Sequence, residues 1–574
     1  MNVLSIFPLP GVSYTHDASA CFITDDGVQF AADEERFLRS QHAIGHYPER
    51  SAMVGMQTLG LSPRSIDLVT TASIERCRRR PDYRVRLQFV RDQLQIPASA
   101  KSLCVPHHLA HSALAVLTSP FDSCVFLTFD GGGDGGMGHW GTFDGRRFRV
   151  LETYKLSPAV FFTYLTSLCG FAAFEEGKVM GLAAYGQVES VLYSWFAQHF
   201  TISRAGAALE TNLRLEWDGV LDFQEVDADT FRRSKYLRWR LKASGSNPPD
   251  WVAELAPQDI AKTGQVFFTA LVQEAVNNLS SRTGEARFAL SGGAFQNVAT
   301  TGELGRAHPN RTFFVPLAPH DAGLSVGAGL WARHVAGQPR FSGPLSPLLG
   351  PTWVAADVER VLEDFGLHFE RPSEFEQEVA ALIADGLVVG WFNGRAEFGA
   401  RALGARSVLA DPRDATMRPR VNQLLKKRDW FMPYAPSILA EFGAEFFEDF
   451  RPSPYMNVAF RVRPDVSRRI PAAVHADGTC RAHVVESGIN DRYRCVIQSF
   501  CQLTGIPMVL NTSFNRHGLP MVATPRQAVH LLLEGCVEVL AIEGFIVRSP
   551  RPRIIRQLRE DVDCLTTDPR RAAS

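Results

Sequence analysis

A pattern of strand, polar loop and hairpin occurs twice near the start of this chain. In residues 1–35, VLSIF leads through Tyr14-Thr15-His16-Asp17-Ala18-Ser19 to ACFIT, then to the turn Asp26-Gly27 and VQFAADE. In residues 123–153, SCVFLTFD enters the loop GGGDGGMG and leaves through HWGTF, Asp144-Gly145 and RRFRVLE. Asp-Gly between apolar alternating runs is a strong hairpin signal. Its use twice in one context predicts a duplicated α/β core. The chain has 574 residues, more than the roughly 250 to 300 that one hydrophobic core holds, so two or three domains are expected. Residues 335–351, VAGQPRFSGPLSPLLGP, concentrate Gly, Pro and Ser between helical segments and end the first domain. The expected division is 1–340, a linker at 341–351, and 352–574.

Between the two repeats, PHHLAHSALAVL places His107 and His111 four residues apart. On a helix both imidazoles share one face and can meet one ion. Oxygen ligands at strand ends strengthen a metal reading, and Asp130 ends SCVFLTFD while Asp321 follows RTFFVP. His108 reads as a bystander. Further on, ARFALSGGAFQNV reads as strand, glycine loop and helix start. Glycines permit close backbone approach and free helix N–H groups attract phosphate, which makes Gly292, Gly293 and Asn297 candidates for nucleotide contact. A tight strand-to-helix turn explains the same Gly-Gly pair.

In the second half, ADVERVLEDFGL and EFEQEVAALIADG read as amphipathic helices, followed by an apolar strand, LVVGWF. Cations then recur at Arg395, Arg401, Arg406, Arg413, Arg418, Arg420, Lys426, Lys427 and Arg428, with FGARALGARSVLA between them. Small and apolar spacers give a pocket composition rather than a solvated face. Guanidinium forks bind phosphate oxygens bidentately and a lysine adds a compact point charge, so the expected ligand is rich in phosphate. The competing reading is a surface laced with ordinary ion pairs.

Composition excludes several classes. With 60 Lys plus Arg against 61 Asp plus Glu, no global field favours nucleic acid or an acidic membrane, and any anion site must be local. The 10 cysteines form no C-x-x-C pair and read as reduced thiols of a cytoplasmic protein. No apolar run approaches the roughly 18 residues of a spanning helix, and MNVLSIFPLP lacks the features of a signal peptide. Residues 187–250 carry a polar, Arg-rich stretch, RRSKYLRWRLKASGSNPPD, that no motif claims and that reads as a solvated insertion. The tail after about 551 is polar and expected to fray.

Several long motifs in one order resemble the NodU/CmcH-type O-carbamoyltransferases, which act on antibiotics and nodulation factors. They are GRAEFGARALGARSVLADPRD, Lys426-x-Arg428 with Pro433 to Ser437, HADGTCR (His475 to Arg481) and NTSFN (Asn511 to Asn515). The resemblance implies an actin-like ATPase or sugar-kinase fold for the duplicated N-terminal domain, and a YrdC-like α/β fold for the C-terminal one. It implies that the C-terminal domain makes carbamoyl-adenylate from ATP, with magnesium, and carbamoyl phosphate. There Lys426 and Arg428 are the expected catalytic cations, and Arg395, Arg401, Arg481, Ser513 and Asn515 the binding residues. In the N-terminal domain it implies that His107, His111, Asp130 and Asp321 hold Fe2+ or another transition metal. His16 is then the expected base toward a small-molecule hydroxyl acceptor. EEGKVMGLAAYG, with Lys178, shapes the transfer site by resemblance, whereas DEERFLRSQH departs from the family, with Ser40 and Gln41 replacing its usual lysines. Two rivals are a threonylcarbamoyl-type transferase acting on tRNA, disfavoured by the near-neutral charge, and a non-enzymatic nucleotide-gated module, for which the second phosphate site is superfluous.

Overall fold

The computed structural model describes residues 1–11, 15–73, 82–172, 174–218, 240–244, 248–341 and 343–550. Most of the Arg-rich stretch at 232–250, Tyr14 of the first loop and the tail after 551 therefore lie outside the described residues. The chain gathers into two compact units, residues 1–35 with 42–345, and residues 36–41 with 346 onward.

The first unit is built on two sheets of the same plan. In one, β1 (Val3–Phe7), β2 (Ser19–Thr24), β3 (Gly27–Asp33), β4 (Leu68–Ala72) and β5 (Lys101–Val105) take the order β3-β2-β1-β4-β5. In the other, β6 (Cys124–Gly133), β7 (Gly136–Phe143), β8 (Phe148–Tyr154), β9 (Arg287–Ser291) and β10 (Thr312–Phe314) take the order β10-β9-β6-β7-β8. Each starts as an antiparallel meander and then adds two parallel strands beside its first. Two copies of one strand order make the duplication explicit and give the expected actin-like α/β class. The run GGGDGGMG is not an open loop. The β6–β7 ladder continues into it as far as Gly133 opposite Gly136, and Asp134 and Gly135 turn with φ of 51° and 79°. Left-handed values at both central residues suit a tight hairpin turn.

After its fifth strand each copy sends a helix inward, His107–Leu117 in the first and Leu324–Val335 in the second. Both are buried along most of their length because they lie between the sheets and each other. They cross at backbone contact, since a Cβ at Gly327 would stand 2.0 Å from the Ala110 carbonyl oxygen.

The second unit is a seven-stranded mixed sheet, consistent with the expected second α/β domain. Its strands are β11 (Val389–Phe392), β12 (Arg406–Ala410), β13 (Ala435–Leu439), β14 (His483–Val485), β15 (Met508–Ser513), β16 (Val539–Ile542) and β17 (Phe545–Arg548), in the order β14-β13-β15-β12-β11-β16-β17. Helices Phe375–Ala384, Asp491–Thr504 and Pro525–Leu533 cover it with apolar faces, and Trp391, Tyr493 and Phe514 are buried at its centre. No helix among the described residues is long and apolar enough to cross a membrane, and the described cysteines are free thiols.

Candidate functional site

In the first unit, His107, His111, Asp130 and Asp321 meet with one donor atom each inside a 4.8 Å cluster, and all four are buried. His107 Nε2 lies 3.0 Å from Asp130 Oδ2 and 3.6 Å from Asp321 Oδ1, and His111 Nε2 lies 3.8 and 3.4 Å from the same carboxylates. Ligands about 2.0–2.2 Å from a shared ion stand roughly 3 to 3.5 Å apart, so the spacing is that of donors around one centre. The buried Nε2 of His111 faces both carboxylates and makes no close hydrogen bond among the described residues. Two imidazoles with two carboxylates suit a transition metal better than magnesium. Burial lowers the His111 pKa, but the Asp130 and Asp321 carboxylates outweigh it and carry it up to about 9. Asp130 is held well below the usual carboxylate range, its burial outweighed by His107 and His111.

Local structure fixes these ligands. The Gly293 N–H donates to Asp130 Oδ1 at 3.0 Å, and Gly292 brings it there at φ 96°, where a Cβ would stand 2.2 Å from the Phe129 carbonyl oxygen. The Gly-Gly pair thus serves a strand-to-helix turn that braces a ligand. Asn297 caps helix Val298–Ala307 with its side chain and exchanges two hydrogen bonds with Gln265 in the interior. The helix bearing the histidines has no side-chain cap of its own. Instead Asp134, at the β6–β7 turn, accepts from the His107 backbone N–H. His108 faces the Gly136 carbonyl at 3.2 Å, and burial with His107 nearby lowers its pKa to about 4.

His16 Nε2 lies 3.9 Å from Asp321 Oδ2, at the edge of the cluster. Its pKa differs from the ordinary value expected from sequence. Burial lowers it, but the bond to Asp17 and the carboxylates of Asp17, Asp321 and Asp130 raise it to about 10. Two of those carboxylates belong to the metal set. The sequence reading missed His42, whose Nδ1 lies 2.8 Å from the other oxygen of Asp17. Lys178 pairs with Glu175 at 2.8 Å and lies over the Phe171 ring.

In the second unit the cations sort into two groups. Arg395 donates to the Leu349 and Gly350 carbonyls, and Arg406, fully buried, donates to the carbonyls of Asn393, Gly394 and Ala405 and stacks 3.7 Å from the Phe392 ring centre. Arg413 is paired with Asp411, and Arg420 with Glu538. These four make contacts within the fold, Arg395, expected to bind ligand, among them. Arg401, Lys426, Arg428 and Arg481 form the other group. Burial lowers the pKa of all four, and Arg428 adds to the fall of three: Arg401 falls to about 10, Lys426 well below its usual range, and Arg481 likewise with Arg401 also nearby. Lys426 Nζ donates to Ser513 Oγ at 2.9 Å, Asn515 Oδ1 at 2.6 Å and the Asn515 carbonyl at 3.0 Å, so Ser513 and Asn515 serve the lysine directly. Arg428 reaches Thr512 Oγ1 at 3.0 Å and lies over Tyr434. None of the four has a carboxylate partner among the described residues. Cations gathered in this way suit an anion.

The loop carrying Arg401 closes on Glu397, whose Oε1 accepts from the N–H groups of Leu403 at 2.8 Å, Arg406 at 3.2 Å and Ala405 at 3.3 Å. The Trp391 indole N–H adds a bond to the Gly404 carbonyl at 2.9 Å.

Known proteins carry the same two parts. Residues 93–330 match the family description "Carbamoyltransferase N-terminus" and residues 380–549 match "Carbamoyltransferase C-terminus". Nodulation protein NolNO of Sinorhizobium fredii is 32% identical over 569 residues, covering 94% of this chain and 79% of its own length. Nodulation protein NolO of Bradyrhizobium diazoefficiens is 30% identical over 77% of this chain and 78% of its own. Among solved structures, full-length HypF in a phosphate- and nucleotide-bound form aligns at 14% identity over 59% of this chain and 56% of its own, with a TM-score of 0.31, too low to add to what the strand order establishes. Two matched parts in order, and relatives aligned over most of both lengths, make this chain a member of the carbamoyltransferase family, an enzyme that transfers carbamoyl groups.

Proposed function

We propose that this carbamoyltransferase works in two steps, making carbamoyl-adenylate from ATP and carbamoyl phosphate in the second unit and transferring the carbamoyl group to a small-molecule hydroxyl in the first. The observation that carries the reading is the group Arg401, Lys426, Arg428 and Arg481, four cations with no carboxylate partner among the described residues, suited to two phosphate-bearing substrates. In the first step water cleaves carbamoyl phosphate to carbamate and phosphate, and a carbamate oxygen then attacks the α-phosphorus of ATP as the bond to pyrophosphate breaks, with magnesium on ATP. In the second, the acceptor oxygen attacks the carbamoyl carbon, the bond to AMP breaks, and the hydroxyl proton passes to His16 Nε2. His107, His111, Asp130 and Asp321 would hold a transition metal, iron by family resemblance, which when bound polarises the carbonyl or the leaving group. An ion held by Asp130 and Asp321 would also offset two of the carboxylates that raise His16.

The test is a pyrophosphate-release assay with ATP, carbamoyl phosphate and no RNA, followed by a screen of alcohols read by the carbamoyl mass increment. Release that depends on both substrates and not on RNA supports the reading. No release without RNA would point instead to a transfer-RNA substrate.

A further inference from the structure

His16 and His42 share one carboxylate. Asp17 Oδ2 lies 3.0 Å from His16 Nδ1, and Asp17 Oδ1 lies 2.8 Å from His42 Nδ1. The two loops are also laced by their backbones, with the Asp17 N–H donating to the His42 carbonyl at 2.6 Å and the Gly45 N–H to the Thr15 carbonyl at 2.9 Å. Asp17, His42 and Ala43 all take left-handed backbone, at φ 56°, 63° and 42°, a conformation that non-glycine residues hold only when the surroundings impose it. The His42 N–H in turn donates to Glu35 Oε2 at 2.7 Å. From the other side the Phe174 ring packs against both imidazoles, 5.0 Å from His16 and 5.1 Å from His42.

A carboxylate with one hydrogen-bonding neighbour can rotate, whereas one held at both oxygens cannot. Fixed by His42, Asp17 keeps its second oxygen at His16 Nδ1. When the ring carries a single proton, Asp17 holds it on Nδ1, and Nε2, on the side of Asp321, is the accepting atom. We infer that His42 is a positioning residue for carbamoyl transfer, setting the tautomer and orientation of His16 through Asp17. The inference rests on the proposal that His16 is the base.

The first test needs no acceptor. Proton NMR of the full-length protein should show a far-downfield imidazole N–H resonance that disappears in His16→Asn and belongs to the His16–Asp17 bond. It should be lost or broadened in His42→Ala and return in His42→Asn, whose amide N–H can reach Asp17 from about the place of Nδ1. The second test uses glycerol at high concentration as the acceptor probe. His42→Ala should lower transfer roughly 10- to 100-fold, the effect of a misplaced catalytic group. The KM for glycerol and pyrophosphate release should be unchanged, the latter showing that the variant is folded. His42→Asn should restore the rate, and His42→Leu, which fills space without donating, should not. The inference is overturned by absence of the resonance in the wild type, by its persistence in His42→Ala, or by equal rescue with leucine. If the resonance behaves as stated but His16→Asn transfers at the wild-type rate, the His16 reading fails and the link between the two histidines stands.

Discussion

Glu397 is only 1% exposed, and its Oε1 gathers three backbone N–H groups at 2.8, 3.2 and 3.3 Å around the turn that presents Arg401. Glu397→Ala strands all three donors in the interior. A buried donor without a partner costs about 1–3 kcal/mol, and the two longer bonds count for less, so the loss should be about 3–5 kcal/mol. Glu397→Gln keeps an oxygen in place but replaces charge-assisted bonds by neutral ones of roughly half the strength, for about 1–2 kcal/mol. Urea unfolding followed by tryptophan fluorescence measures this, because buried Trp391 is bonded to Gly404 in the same turn. The KM for carbamoyl phosphate in pyrophosphate release should rise at least roughly tenfold in the alanine variant, as loss of an ordered cation from an anion site does. An alanine variant that loses less than about 1 kcal/mol and keeps the wild-type KM would refute the idea that this carboxylate closes the loop.

Lys426→Ala and Arg428→Ala should each abolish pyrophosphate release, since removing one cation from a multi-anion site costs several kcal/mol; retention of either activity would move the adenylation site elsewhere. Elemental analysis should find about one transition-metal ion per chain, lost in the Asp130→Asn, His111→Ala double variant while pyrophosphate release continues. His16→Asn should lower transfer by roughly 10² to 10⁴ with adenylation intact, as removal of a general base does. His483, buried and 3.0 Å from Ser437 Oγ, has its pKa lowered by burial to about 3. The unfolded chain, with this imidazole near 6.5, therefore takes up a proton that the folded one refuses, and stability falls as pH drops below about 6.5, by up to about 1.4 kcal/mol per unit. In His483→Gln, urea unfolding across pH 4 to 7 should lose that increment of slope.

The duplicated core was legible because hairpin chemistry is local: Asp26-Gly27 and Asp144-Gly145 announce their turns within a few residues, and the strands around them form where alternation puts them. His107 and His111 were legible for the same reason, helical spacing being a property of sequence, and the structure brings both to Asp130 and Asp321. The cationic stretch was legible only in bulk. Charge and spacing cannot tell a guanidinium that meets backbone carbonyls, as at Arg395 and Arg406, from one set beside another cation, as at Arg401 next to Arg428. Glu397 and His42 stayed hidden because their work is done by geometry. One accepts backbone donors six to nine residues ahead, and the other meets Asp17 across a loop 25 residues away.

The cluster of His107, His111, Asp130 and Asp321 is divided between the two repeats. His107 and His111 start the helix after the fifth strand of the first copy, Asp321 stands just before the equivalent helix of the second, and Asp130 lies on the second copy's first strand. Neither copy owns a complete coordination set, so a bound ion is a cross-link between them. Its affinity then enters the folding equilibrium of the first unit by mass action, about 2.7 kcal/mol at a free ion concentration one hundred times the Kd. The unit's melting temperature should therefore be a titration curve for the ion.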